Sequence, residues 1–124
     1  MKFKISFGAV LDTPLPSNHV FDGAAMRHAL QEWVQQSDRV CLIKAPESSD
    51  QIDYDQACAK AILFDTETLD MWCTTLDTPV GVRLEHYLRY NKPHILYLPY
   101  GFSFNSEHGT PEFQITCLHL LKKR

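Results

Sequence analysis

Asp77-Thr78-Pro79-Val80-Gly81-Val82-Arg83-Leu84-Glu85, followed by Lys92-Pro93-His94-Ile95-Leu96-Tyr97, is the stretch on which the reading of the fold turns. Thr78 is a residue type that caps helices, and Pro79 suits the first helical position, where its missing N–H is no loss. Val80, Leu84, Tyr87 and Leu88 recur at helical spacing and make one apolar stripe. Asn91-Lys92-Pro93 stops the helix, because a proline disfavours helical geometry in the residue before it. His94 to Leu98 is then nearly all apolar, as in a strand covered on both faces.

Working outward, Phe3, Ile5 and Phe7 alternate with polar partners, and Gly8-Ala9-Val10-Leu11 continues the run as a first strand. Residues 12–19, with Pro14, Pro16, Ser17 and Asn18, read as loop. Met26, Ala29, Leu30, Trp33 and Val34 give a helix over 23–36, with Asp22 as its cap and Phe21 stapled to Met26. Residues 40–44 read as a short buried strand and Pro46 to Asp50 as a turn. Residues 51–60 are ambiguous; Tyr54, Ala57, Cys58 and Ala61 fit a short helix, after which 61–64 is a strand. The acidic stretch 65–78 and residues 100–111 read as loops, and Phe113, Ile115 and Cys117 alternate in a last half-buried strand. Strands and helices in this order predict a single α/β domain over 1–124. Its sheet is expected to be Rossmann-like and largely parallel, with strands 3–10, 40–44, 61–64 and 94–98. Helices pack on it, and an antiparallel C-terminal strand lies at its edge. The clean alternation of the first strand suits a sheet with one open face, so a ferredoxin-like α+β layout stands as the alternative.

With 124 residues the chain is long enough for a core without disulfides or metal. A formal net charge of −3 gives no general attraction for phosphate backbones, so nucleic acid is a disfavoured partner. Cys41, Cys58, Cys73 and Cys117 are isolated, and Cys41 and Cys117 sit in apolar runs, where free cysteine packs as a small hydrophobe. No signal-peptide pattern and no membrane-length apolar run occurs, which leads to the expectation of a cytoplasmic protein with no membrane partner. No cofactor or metal ligand set is expected: the six histidines are scattered, and His94 reads as a core residue.

The chemistry is concentrated around the second helix. In an open α/β sheet ligands bind beyond the carboxyl ends of strands, and a first helical turn favours anions there. Gly81 lets a ligand approach the backbone, and Glu85 lies one turn on, at the border of the apolar stripe. Gly-Val-Arg-Leu-Glu, then Lys-Pro and an apolar strand, resembles the signature of the nucleoside 2-deoxyribosyltransferase-like superfamily over residues 60–98, and is closest to a small uncharacterised branch of it. The opening half follows in looser order, with Gly8, Asn18, Phe21 and Ala45-Pro46-Glu47; the usual Gly-Pro after the first strand is Gly8-Ala9 here. The resemblance implies a small-molecule nucleoside or nucleotide ligand and N-glycosidase or deoxyribosyltransferase-like chemistry. By position Glu85 is then the nucleophile attacking the anomeric carbon, a carboxylate needing no activating base. Asp65 assists the leaving base, and Gly8, Asp77, Thr78 and Gly81 line the ligand. Glu85 is expected near the carboxyl ends of the strands ending at Phe7 and Phe64.

Each of these residues has a plainer reading. Glu85 can be a solvated partner of Arg89 at i,i+4. Gly81 can serve close helix–strand packing. Asp65, Glu67, Asp70 and Asp77 lack the ordered spacing of a divalent-cation loop. Trp72, Tyr100, Phe102 and Phe104 fall in expected loops and mark a ligand pocket, a protein interface or local packing. The second functional hypothesis is therefore a non-enzymatic protein-binding module, an inhibitor or accessory protein of a mobile genetic element, acting through the loop aromatics on a protein partner or a second copy. Aromatics gathered around Glu85 in a cleft favour the nucleoside reading, and aromatics on a flat exposed patch favour the module.

Overall fold

The computed structural model describes residues 1–8, 23–36, 39–43, 54–105 and 111–122, without the side chains of 54, 102–105 and 111–113. The expected Asp22 cap, the Phe21 staple, the loop 12–19, the turn 46–50 and the end of the first strand lie outside these residues. The elements are β1 (Lys2–Phe7), α1 (Gly23–Trp33), β2 (Val40–Leu42), β3 (Ala57–Phe64), β4 (Met71–Thr75), α2 (Pro79–Asn91), β5 (Ile95–Asn105) and β6 (Pro111–Lys122).

The strands close into a six-stranded barrel in the order β1-β4-β3-β2-β6-β5. Only β1–β5 and β2–β6 are parallel; the other four neighbouring pairs are antiparallel. The Rossmann-like, largely parallel sheet is thereby corrected, as is the antiparallel edge strand, since β6 has neighbours on both sides. The physical reason lies in the unread β4. Met71 and Cys73 are buried while Trp72 points outward, a period-two pattern set among acidic residues that resembles a loop. β4 slots between β1 and β3 as an antiparallel neighbour of both, and that turns an apparent α/β alternation into a mixed barrel.

The barrel needs only one apolar face per strand. Phe3 pairs with Cys73, Ile5 with Met71 and Ala61 with Cys73, and all five side chains are buried in one core. β5 follows the same rule: Ile95 and Tyr97 are buried, whereas Leu96 and Leu98 are only half-buried. Its apolar run is a one-faced strand, and it extends as a hairpin with β6 through residues read as loop. Residues 54–56 are a 3-10 turn, and strand structure begins at Ala57.

The helices lie where periodicity puts them. α1 packs on β6 through Met26, Ala29, Leu30 and Trp33, and the Trp33 indole N–H donates to the Thr116 carbonyl at 3.4 Å. α2 packs on β3 and β4. The Thr78 hydroxyl donates to the Ala57 carbonyl at 2.6 Å and accepts from the Gly81 N–H at 2.9 Å, fixing the start of α2 to β3. α2 ends at Lys92 in the left-handed region with φ 44°, its N–H bonded to the Leu88 carbonyl at 3.2 Å. Gly81 faces the Leu76 and Cys58 carbonyls so closely that a Cβ would overlap the Leu76 oxygen.

Tyr97 joins strand to turn. Its ring meets Phe7 edge-on at 5.5 Å between centroids, and its hydroxyl donates to the Leu69 carbonyl in the β3–β4 turn. Burial pushes its phenol pKa well up. The four cysteines are buried free thiols. The Cys41 and Cys73 sulfurs are 3.9 Å apart, and burial pushes the Cys58 thiol up to about 12, so that these groups pack rather than react.

Two substitutions test this packing. Gly81→Ala is expected to destabilise by about 1–3 kcal/mol, overlap outweighing the roughly 1 kcal/mol gain in helix propensity. Tyr97→Phe, which leaves the Leu69 carbonyl without its donor, should cost about 1–3 kcal/mol. Urea unfolding of each variant gives the values, and a stabilised Gly81→Ala would contradict the observed approach of Gly81 to the Leu76 and Cys58 carbonyls.

Candidate functional site: an apolar patch on the outer barrel face

The residues expected to form a nucleoside site are divided between the two ends of the barrel. Thr78, Gly81 and Glu85 follow one another along the first turns of α2, with Asp77 just before them. Glu85 lies beside the start of β1: its carboxylate is 3.3 Å from the Met1 ammonium and 3.7 Å from Arg89, and the Thr75 hydroxyl donates to it at 3.4 Å. The ammonium's hydrogen bond, then its charge and that of Arg89, hold the Glu85 carboxyl below its ordinary range against a partial desolvation. Gly8 and Asp65 sit at the opposite end. β1 and β4 run antiparallel, with Lys2 opposite Thr74 and Ile5 opposite Met71, so the ends of β1 and β3 are remote from the start of α2. The expected position of Glu85 near Phe7 and Phe64 is not the one observed. The Gly8 N–H is bonded to the Tyr97 carbonyl at 2.8 Å.

Asp65 organises a turn. Its Oδ1 accepts from the Glu67 and Thr68 N–H groups at 2.9 and 3.2 Å, and its own N–H donates to the Asp70 carbonyl at 2.9 Å. Those two backbone donors hold its carboxyl below the ordinary value. A cavity of about 280 Å³ beside α2 is lined by Ile43, Gln56, Val80, Arg83, Leu84 and Tyr87. Glu85, Trp72 and Tyr100 are not among these lining residues. Among the described residues, no three His, Cys, Asp or Glu side chains are placed to share a metal ion.

The more pronounced feature is on the outer surface of β1, β4 and β3. β3 carries a register shift between Ala61 and Leu63. One extra residue re-aims the chain there, and Ile62 and Leu63 are both exposed, at 38% and 62%. Leu63 stands directly opposite Trp72, itself 41% exposed, and Trp72 stands opposite Lys4 on its other side. One step along the strands, Lys2 and Lys60 flank Thr74. Trp72 therefore lies in an exposed patch on a strand, not in a loop. Tyr100 is half-buried on β5 against His119, their rings 5.6 Å apart; the side chains of Phe102 and Phe104 lie outside the described residues.

The reading of 61–64 as a strand does not by itself say that Ile62 and Leu63 both face outward. The available signal was Lys60: period two puts Ile62 on the same outward face. His94 is also exposed rather than in the core, with its Nε2 3.3 Å from the Ser6 hydroxyl. A serine–histidine contact is one part of a nucleophilic site, but among the described residues no third side chain is bonded to His94 to orient it.

No protein-family model matches the chain, and a search of curated proteins finds no match. Its structure is similar to that of the bacteriophage T4 capsid assembly protease, gp21, with a TM-score of 0.59 over 99% of this chain and 98% of that one. The two sequences are 10% identical, so the likeness is one of fold. No helix among the described residues is long and apolar enough to cross a membrane.

The role of Asp65 is testable by pH. Its folded-state pKa lies below the unfolded value, so its contribution is fully present above about pH 4–5 and is lost as pH falls through the folded value. Asp65→Ala should be less stable than wild type at pH 7, and the difference should shrink as pH is lowered from about 5 to about 2.5, measured by urea midpoints. A difference constant over that window would contradict the turn role.

Proposed function

We propose that this chain is a non-enzymatic protein-binding module whose contact surface is the outer face of β1, β4 and β3. The observation that carries the reading is Leu63 and Trp72 side by side on that face, with Ile62 next to them, all exposed. A cluster of large apolar side chains held in water by a rigid barrel wall is costly to leave uncovered, and such patches mark protein contacts. Tryptophan is the residue type that most often supplies binding energy at interface centres. The carboxylate of Glu85, held by the Met1 ammonium and Arg89 outside the cavity beside α2, does not favour the nucleoside reading over this one.

The experiment compares wild type with a Leu63→Asp, Trp72→Ser double variant. Proteins retained by the immobilised wild-type chain from an extract of its source are identified, purified and rebound. The affinity of a true partner should fall at least about tenfold in the double variant, roughly 1.4 kcal/mol or more. Trp72 is 41% and Leu63 62% exposed, so some stability is lost with them, and melting curves confirm that the double variant is folded at the temperature of the binding assay. Equal retention by both proteins, with base release from deoxynucleosides by wild type, would overturn the proposal.

A further inference from the structure

The charge around the patch specifies the partner. The three strands of this face, Lys-Phe-Lys-Ile-Ser-Phe, Ala-Cys-Ala-Lys-Ala-Ile-Leu-Phe and Met-Trp-Cys-Thr-Thr, contain three lysines and no carboxylate. The chain as a whole is acidic, with formal net charge −3. Positive charge is therefore concentrated where the apolar side chains are exposed. Lys2 and Lys60 stand on either side of Thr74, on strands two apart and so roughly 10 Å from each other at the backbone. Lys4 borders Trp72 in the next row. Carboxylates border this face at both ends: those of the β3–β4 turn at one, and at the other Glu85, which accepts from the Thr75 hydroxyl at 3.4 Å and is paired with the Met1 ammonium and Arg89. Asp70 is 3.7 Å from the Lys4 ammonium, and Asp65 is held by its own turn. Glu67 is exposed there. That turn borders the Leu63 end of the patch. Beside the Lys2–Thr74–Lys60 row the carboxylate of Glu85 is already paired with the Met1 ammonium and Arg89, and among the described residues no ion pair engages Lys2 or Lys60.

Resting on the protein-binding reading above, we infer that the partner presents an acidic amphipathic segment: a bulky apolar side chain seated on Leu63 and Trp72, flanked by carboxylates that meet Lys2, Lys60 and Lys4. Complementary charge of this kind speeds encounter and excludes wrong partners. A second copy of the chain is disfavoured as occupant, because a two-fold pairing of this face sets lysine against lysine. Single-stranded nucleic acid is also disfavoured. Stacking platforms present successive aromatic faces to the bases, whereas Trp72 here is neighboured by Leu63 and Ile62.

The test is a selection from a random peptide library displayed on phage against the immobilised full chain, repeated with Trp72→Ala. Peptides dependent on Trp72 are synthesised, and their affinities are measured by fluorescence anisotropy at low and high salt. Expected are sequences with two or more Asp or Glu beside an aromatic or aliphatic residue. Their affinity should fall about tenfold or more in Lys2→Glu, Lys60→Glu and weaken with salt. Lys2→Gln, Lys60→Gln is carried alongside, and melting curves confirm that each variant is folded. Trp72-dependent peptides without acidic bias, unaffected by charge reversal, would overturn the inference and leave the protein-binding reading standing. No Trp72-dependent peptide would overturn both, as would oligo-dT binding at this face; self-association abolished by Trp72→Ala would overturn the inference alone.

Discussion

Two short parallel pairings hold the barrel shut. Ser6 lies opposite Leu96 and Phe7 opposite Tyr97, and the Gly8 N–H adds a bond to the Tyr97 carbonyl at 2.8 Å. Without them, β1 and β5 are the free edges of a curled sheet, each a row of unpaired backbone groups open to any passing strand. With them every strand has two neighbours. Tyr97 carries much of this closure, since it packs on Phe7 and reaches the Leu69 carbonyl from inside the core. Leu69, with φ 64°, occupies a left-handed conformation uncommon for a residue with a side chain. The buried side chain and the tyrosine's hydrogen bond hold it there, so closure and the β3–β4 turn depend on the same residue.

A closed barrel leaves little for a partner to bind except its walls, its ends and its helices. Closure gives each of the six strands two neighbours, and the free strand edge that strand addition needs lies in the part of the β5–β6 hairpin beyond Tyr97 and before Leu118, away from the β1–β4–β3 wall. Recognition on a wall comes from side chains, and on the β1–β4–β3 wall the shift at Ile62 supplies them. It exposes two successive apolar residues on β3 and sets the second against Trp72. Bulges concentrate where a strand must aim a side chain for a purpose. The surrounding lysines follow from strict alternation on β1 and β3, which puts Lys2, Lys4 and Lys60 on the outward face opposite Phe3, Ile5 and Ala61.

Local periodicity made both helices and parts of five strands legible in the sequence. The stripe of Met26, Ala29, Leu30 and Trp33 and the Thr78–Pro79 start leave few alternatives. The topology was not legible. Which strands pair depends on contacts remote in sequence, and Met71 to Thr75 gave too short a signal among acidic neighbours to be read as a strand. Pro99 and Gly101 carried loop chemistry into what is a long hairpin, where β5 shifts register against β6 between Tyr100 and Gly101. At the candidate site, the residue types of Gly81 and Glu85 are legible, but not the approach of the Leu76 and Cys58 carbonyls to Gly81 or the ion pairs of Glu85 with Met1 and Arg89, which depend on the folded chain. The patch was half visible: Trp72 was singled out as an exposed aromatic, but its partner Leu63 depends on a bulge that alternation does not announce.

Where this protein meets its ligand decides between a contact on the barrel wall and a site at the start of α2. The direct measurement is an amide chemical-shift map of the isotopically labelled chain, titrated separately with an acidic, tryptophan-containing peptide and with a deoxynucleoside panel. The account predicts that the peptide shifts Lys2, Lys4, Lys60, Ile62, Leu63, Trp72 and Thr74 together, and that the nucleosides shift no localised set. Perturbations centred on Asp77, Thr78, Gly81 and Glu85 with a nucleoside, and none on the β1–β4–β3 face with the peptide, would contradict it.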